Sequence, residues 1–291
     1  MLESLRHAFG AEPHDNEDGT YWPSKAAMAI AVPDKTEYHP VEYDRPYTGD
    51  RKVLVLCTEE SQLRCENGKV FRTGNHPTEI FVVVKHLEAA GFTVDFATPS
   101  GQPVAIEEFA VPHADAVTSD AMTAHAEQLS HPLAMPDVLA GLGDDSPYLA
   151  VYLPGGHGAV LGNPFSETVR DIIEWFVDTD KHVITICHGP ALLVSLDIGR
   201  QDGSPNPLSG YTLVAFTDSG DRMLTKAGYL PGEMPWFFNE RIESLGIKIA
   251  NHLTIGGTHV DRKLLSGDSP MAGDKLGKLA ASTLLAAVSK G

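Results

Sequence analysis

Ile184-Thr185-Ile186-Cys187-His188-Gly189-Pro190-Ala191 sets a β-branched run against a Cys-His pair and a Gly-Pro step. Val183 to Ile186 reads as a buried strand, Gly189-Pro190 as a tight turn with proline near a first helical position, and Ala191 to Leu196 as helical in composition. Cys187 therefore falls on a strand-to-helix junction. A thiol beside a histidine and close to a helix N-terminus meets partial positive charge, which is expected to lower its pKa and favour the thiolate nucleophile. An arbitrary cysteine at the end of a strand is more often an inert core residue, and the junction with its neighbours is what sets this one apart.

Working outward, the same alternation repeats. Val53 to Leu56 predicts a strand, Pro77 to Ala90 a helix closed by Gly91, and Thr93 to Ala97 a second strand. Residues 99–147 interrupt the pattern with Pro103, Pro112, Pro132, Pro136 and Pro147, with short helices expected near 118–129 and 135–142; an excursion of that length is expected to serve function. Alternation resumes with a strand at Leu149 to Leu153, a helix near Ser166 to Asp178, the strand before Cys187 and a strand at Tyr211 to Phe216. A helix near Trp236 to Leu245, a short strand around Leu253 and a terminal helix from Pro270 to Val288 complete the expectation. Repeated βα units predict an α/β fold, a doubly wound, mostly parallel sheet with helices on both faces and sites at the carboxyl ends of its strands. Residues 1–50 lack periodicity and read as an arm or lobe outside the sheet, leaving 51–291 as the main domain with 99–147 as an inserted covering segment.

Composition narrows the function classes. With 22 Lys+Arg against 39 Asp+Glu, the formal charge of −17 repels phosphates at long range and argues against a stable nucleic-acid complex. Cys57, Cys65 and Cys187 leave an odd thiol and form no Cys-x-x-Cys pair, favouring a reducing compartment. The first residues, with Glu3 and Arg6, lack a signal-peptide apolar core, and no run of about 18 apolar residues occurs, so a cytoplasmic protein without a membrane association is expected.

Three further segments aim at the same edge as Cys187. Leu153-Pro154-Gly155-Gly156-His157-Gly158 follows a strand, and its glycines leave amides free to face a developing oxyanion; a plain turn is the alternative. Neither the Walker Lys-Ser/Thr nor Rossmann glycine spacing is present, which disfavours a phosphate cradle. Glu79 opens the helix after the first strand, where it either complements the helix dipole or places a carboxyl beside Cys187 as general acid or base. Thr217-Asp218-Ser219-Gly220-Asp221 follows another strand and supplies either turn formers or a carboxylate that orients a histidine.

These segments, with Arg45-Pro46-Tyr47, Thr73-Gly74-Asn75-His76-Pro77, Gly228-Tyr229-Leu230-Pro231-Gly232 and Asp261 through Pro270, resemble the ThiJ/PfpI superfamily of the class I glutamine amidotransferase-like, flavodoxin-like fold. The closer resemblance is to its HchA branch, whose members are called heat-shock chaperone, glyoxalase III and protein deglycase, and it runs from about Tyr43 to the C-terminus. The resemblance implies Cys187 as nucleophile, His188 as its partner, Asp221 as third member with Asp218 as fallback, Glu79 as the acid touching the thiol, and Gly155 and Gly156 as oxyanion donors. It also implies a two-histidine, one-carboxylate metal site, and here the likeness fails in part: His125 matches one ligand, but Glu88 and Thr93 stand where His and Glu are expected. No tightly bound metal is expected, and His113, His125 and His131 read as ordinary loop histidines.

The implied activity needs no cofactor: conversion of methylglyoxal to D-lactate, and removal of glyoxal and methylglyoxal adducts from proteins or nucleotides. The implied partners are small dicarbonyls, glycated proteins or nucleotides, unfolded client proteins and a second copy of the chain in a homodimer. A holding chaperone with little catalysis and a PfpI-like cysteine peptidase are the competing readings.

Overall fold

The structure, a computed structural model, describes residues 11–200 and 205–289; the first ten residues of the expected arm lie outside it. Strands β1 (His14–Asp15) and β2 (Thr20–Trp22) and helix α1 (Lys25–Ala31) come first. Then follow β3 (Lys52–Leu56), β4 (Gln62–Arg64), β5 (Val70–Arg72), α2 (Pro77–Ala89) and β6 (Thr93–Thr98). The proline-rich insertion contributes α3 (Val117–Ala124), α4 (Ala126–Ser130), β7 (Leu133–Ala134) and α5 (Met135–Ala140). The chain continues through β8 (Tyr148–Leu153), α6 (Glu167–Asp178), β9 (His182–Ile186), a 3-10 stretch at Gly189–Asp197, β10 (Thr212–Leu213) and α7 (Asp218–Lys226). It ends with α8 (Asn239–Ser244), β11 (Lys248–Ile249), β12 (Thr258–Asp261), β13 (Leu264–Gly267) and α9 (Gly273–Val288).

Seven strands form one sheet in the order β12-β13-β9-β8-β3-β6-β7, parallel throughout except for the β12–β13 pair. Its central strands are apolar on both faces, as a sheet covered on both sides requires. Alternation along β3 shows the division: Val53 and Val55 pack with Ile80, Phe81 and Leu87 of α2 and Leu276 and Leu284 of α9. Leu54 and Leu56 face the opposite layer, with Val169, Ile172 and Phe176 of α6. Pro77 at the first turn starts α2, and Gly91 ends it at φ 91°, where a side chain would meet the Tyr47 carbonyl at 2.0 Å. The expected doubly wound α/β architecture is thus observed. Among the described residues no helix is long and apolar enough to cross a membrane.

A second sheet, β1-β2-β5-β4, draws two strands from the N-terminal segment and two from residues 62–72, with β2 and β5 parallel. Three expectations are corrected. Tyr211 to Phe216 holds only the two-residue β10, which pairs with β11 rather than the main sheet, because Val214 N–H donates to Ser266 Oγ and Phe216 N–H to the Cys187 carbonyl. No strand forms at Leu253, which is exposed in a turn beyond β11. The segment after Cys187 is 3-10 rather than α-helical. The β12–β13 hairpin, unforeseen, supplies the strand beside β9.

Gly189 locks the β9 turn against β8. A Cβ there would stand 2.1 Å from the Leu153 carbonyl oxygen and 2.8 Å from Thr185 Oγ1, whereas one on Gly143 would meet nothing within 4 Å. Gly189→Ala is expected to cost about 2 kcal/mol in urea denaturation by overpacking, with Gly143→Ala within about 0.5 kcal/mol of wild type. Equal effects of the two substitutions would contradict this placement.

Candidate active site

The carboxyl ends of β9 and β8 and the starts of α2 and α7 converge on Cys187. The chain leaves β9 by placing Cys187 at φ 57°, in the left-handed region that a non-glycine residue occupies only when its surroundings impose it. Those surroundings are hydrogen bonds on both sides of the residue: its N–H donates to the Gly267 carbonyl at 2.9 Å and its carbonyl accepts from Phe216 N–H at 2.9 Å. The side chain is 4% exposed and its Sγ lies 3.2 Å from His188 Nδ1.

His188 Nε2 faces both oxygens of Asp221, at 3.1 and 3.0 Å. The carboxylate accepts, so the network assigns the proton to Nε2 and leaves the Nδ1 lone pair toward the thiol. The imidazole is held flat on Phe216, with ring centroids 4.9 Å apart. Asp221 is fully buried in the first turn of α7, whose N-terminus is capped by Thr217 Oγ1 accepting from Gly220 N–H at 3.1 Å. Asp218, three residues earlier, does not reach the histidine; its carboxylate accepts from Asn239 N–H at 3.2 Å and ties the start of α8.

Glu79, in the first turn of α2, is fully buried; the Cys187 thiol and the Gly155 backbone approach its carboxyl, but neither oxygen makes a hydrogen bond of normal geometry. It lies against the turn: a carbon placed on Gly155 would fall 2.4 Å from Glu79 Oε2, 2.8 Å from Cys187 Cβ and 2.8 Å from His188 N. Only glycine lets the three approach. The Gly155 carbonyl accepts from His76 N–H at 3.0 Å, and Gly156 takes φ 95°, turning the loop back toward Gly74.

Burial pushes the Glu79 carboxyl up to about 8, so the group is neutral at physiological pH. Burial likewise raises the Cys187 thiol well above its ordinary range, and the charge of Glu79 raises it further. This corrects the expectation of a thiol made acidic by its junction alone. The helical dipole is weak at a 3-10 stretch, the side chain is closed off from water, and its nearest formal charges are carboxylates. A thiolate here requires the proton to sit on Glu79 and His188 to take the thiol's own.

Sequence reasoning missed a second histidine on the same aspartate. His157, from the glycine loop, places Nε2 3.2 Å from Asp221 Oδ1 and Nδ1 3.7 Å from Glu107 Oε1. Glu107 comes from the insertion, where no periodicity marks it; its Oε1 accepts from Thr73 Oγ1 at 2.8 Å and from His157 N–H at 3.0 Å.

The residues at the branch's metal position do not fit such a site. His125 Nε2 meets Glu88 Oε1 at 3.0 Å, its Nδ1 meets Gln128 Oε1 at 2.9 Å, and Thr93 is exposed at the start of β6. Both ring nitrogens are committed within the protein. His113 pairs with Asp34 at 3.5 Å and His131 with Glu127 at 3.3 Å, both on the surface.

Comparison with known proteins identifies relatives of the chain. The protein/nucleic acid deglycase HchA of Escherichia coli O1:K1 is 41% identical over 271 residues, covering 93% of this chain and 94% of its own. Glyoxalase III from Candida albicans superposes with a TM-score of 0.63 at 19% identity, over 80% of this chain and 97% of its own. The Francisella tularensis rapid encystment protein superposes with a TM-score of 0.68 at 15% identity, over 80% and 99%; both likenesses show the shared fold. The model of the DJ-1/PfpI family matches residues 70–203, the span that carries Glu79, the glycine loop, Cys187 and His188, and with the deglycase likeness over nearly the whole chain it places the protein in the DJ-1/PfpI family.

Proposed function

We propose that the protein is a cofactor-independent glyoxalase III and deglycase that converts methylglyoxal to D-lactate and removes glyoxal and methylglyoxal adducts from proteins and nucleotides. The observation that carries this reading is the buried, unpartnered Glu79 carboxyl against Cys187. Acyl transfer from a peptide needs a nucleophile and a base, but isomerising a dicarbonyl also needs a group that moves a proton between adjacent carbons.

Cys187 Sγ attacks the aldehyde carbon as its proton passes to His188 Nδ1, 3.2 Å away, while Asp221 stabilises the imidazolium through Nε2. The hemithioacetal oxygen faces the amides of Gly155 and Gly156. Neutral Glu79 gives its proton to that oxygen as it forms, and the resulting carboxylate takes the hydrogen from C1 while the imidazolium returns its proton to the C2 oxygen, giving an enediol; Glu79 then delivers the hydrogen to C2 and recovers the C1 hydroxyl proton as the thioester of lactate forms. Water hydrolyses that thioester, releasing lactate and the thiol. On an early adduct the same attack forms the hemithioacetal as the carbon–nitrogen bond to the lysine, arginine or base breaks, with the thiol's proton passing from His188 to the leaving nitrogen. Cys187, only 4% exposed and crowded by Glu79, suits a small carbonyl, free or carried at the tip of a side chain or base, better than a main-chain peptide bond, which argues against the peptidase reading.

The holding-chaperone reading rests on a different place, an apolar cavity of about 400 Å³ in the smaller lobe lined by Trp22, Met28, Val32 and Phe109. Nothing in that cavity involves the thiol.

Cys187→Ala is expected to reduce lactate formation from methylglyoxal, assayed without glutathione or metal, by at least about 10³-fold with the fold intact. Turnover retained in a clean preparation contradicts the assignment. The same variant keeps any suppression of aggregation of a heated client. For Glu79, the raised pKa means the protonated, thiolate-compatible form is present below and lost as pH rises through about 8. Wild-type kcat/KM should therefore fall on the basic side near pH 8. Glu79→Gln should lower kcat by about 10² to 10⁴-fold and abolish that limb, as measured by initial rates from pH 6 to 10.

A further inference from the structure

Asp221 serves two histidines, and only one of them reaches the thiol. His157 packs beside His188, with their ring centroids 4.3 Å apart. His157 is 4% exposed, Glu107 2%, Asp221 0% and Thr73 1%, so water is kept from all four. Phe71 meets the His157 ring edge-on at 5.7 Å and Tyr229 lies 5.5 Å from it, which fixes the imidazole in the line between the two carboxylates.

Two carboxylates cannot share so dry a site without a positive charge between them, since each alone would be neutralised rather than buried charged. His157 is the group placed to supply it: one ring nitrogen addresses Asp221 and the other Glu107, and an imidazolium is the form in which both nitrogens carry protons. Thr73 Oγ1 and the His157 amide turn the Glu107 carboxylate toward the ring.

On the reading of the site given above, we infer that His157 is a positioning residue for catalysis: a permanent imidazolium, clamped between Glu107 and Asp221, that keeps Asp221 ionised and aimed at His188. The groups facing it from each packed element agree. The turn after β9 presents His188 and Cys187, the start of α2 presents His76 and Glu79, the insertion presents Glu107, α7 presents Asp221, and the loop after α7 presents Tyr229. Burial alone would lower the His157 pKa, yet its two carboxylates hold it up at about 10. Burial alone would likewise raise Asp221, yet His188 and His157 hold it well below the carboxylate range. Burial leaves His76 neutral, at about 4, so it supplies no competing cation.

The consequence is that His188 keeps its Nε2 proton directed at a charged acceptor throughout the working pH range. Removing the imidazolium leaves Asp221 and Glu107 facing each other uncompensated, so Asp221 protonates at higher pH and stops orienting His188. His157→Gln should then reduce kcat/KM for methylglyoxal by about 10- to 100-fold, the usual worth of a partner that orients a working histidine. It should also move the acidic limb of the pH profile up by about one unit or more. Glu107→Gln/His157→Gln removes the cation and its surplus counter-charge together and should return the limb toward its wild-type position, which a residue of purely structural importance would not do.

The experiment pairs those profiles with ¹⁵N NMR of histidine-labelled wild-type protein from pH 6 to 9, a readout that needs neither turnover nor a variant that folds. Protonation of both His157 nitrogens across the range, with a shifted limb in His157→Gln and its return in the double variant, is the expected result. A neutral His157 at pH 7, or an unmoved acidic limb in a folded His157→Gln protein, overturns the inference. If the wild type makes no lactate, the functional reading fails and the NMR arm still decides the charge state of His157.

Discussion

A carboxyl group buried without a hydrogen-bond partner costs several kcal/mol if it is ionised, and Glu79 is such a group. Protonation is the cheapest escape. Everything around the thiol follows from that constraint: the sulfur cannot lose its proton while Glu79 is charged, and a neutral Glu79 becomes both a hydrogen-bond donor to the reacting centre and a store of one mobile proton. The glycine at position 155 is the geometric counterpart, because any side chain there would drive the carboxyl and the thiol apart.

The fold delivers this arrangement by making parallel strands end together. β8 and β9 pair in register and terminate beside each other, so the glycine loop and the Cys187 turn are neighbours by construction. The left-handed backbone at Cys187 points the side chain out of the sheet line, and the Gly267 carbonyl from β13 anchors it from the next strand. The acid partners then enter from helices that cover opposite layers, Glu79 from α2 and Asp221 from α7. Four separate stretches of chain meet at one sulfur. His157 stands between the two carboxylates that the insertion and α7 bring in, the place where the inference above puts a positive charge.

Much of this is legible in the sequence. The β-branched run ending at Cys187, the glycine run after Leu153 and the aspartates after Phe216 each mark a strand end locally, and a doubly wound sheet has only one edge where such ends gather. What could not be read depended on pairing across long distances. The hairpin of β12 and β13 is short and ordinary in composition, and it earns its place beside β9 only through tertiary packing. The smaller sheet joins residues 20–21 to residues 70–71 in parallel, a contact that no local pattern encodes. Glu107 sits in a proline-rich stretch without periodicity, so neither its burial nor its partner His157 left a trace in spacing. The pKa of Cys187 was misjudged for a related reason: the junction is a local feature, while the carboxylates that oppose ionisation arrive from elsewhere in the chain.

The proton on Glu79 is open to direct observation. Infrared difference spectra of wild type against Glu79→Gln, recorded as a function of pH, isolate the carbonyl stretch of a protonated carboxylic acid. A band present at neutral pH, absent from the variant and disappearing as pH rises through about 8, is the predicted result. No such band at pH 7, with the carboxylate stretch in its place, would mean that Glu79 is buried as an anion and that the proton-transfer chemistry assigned to it is wrong.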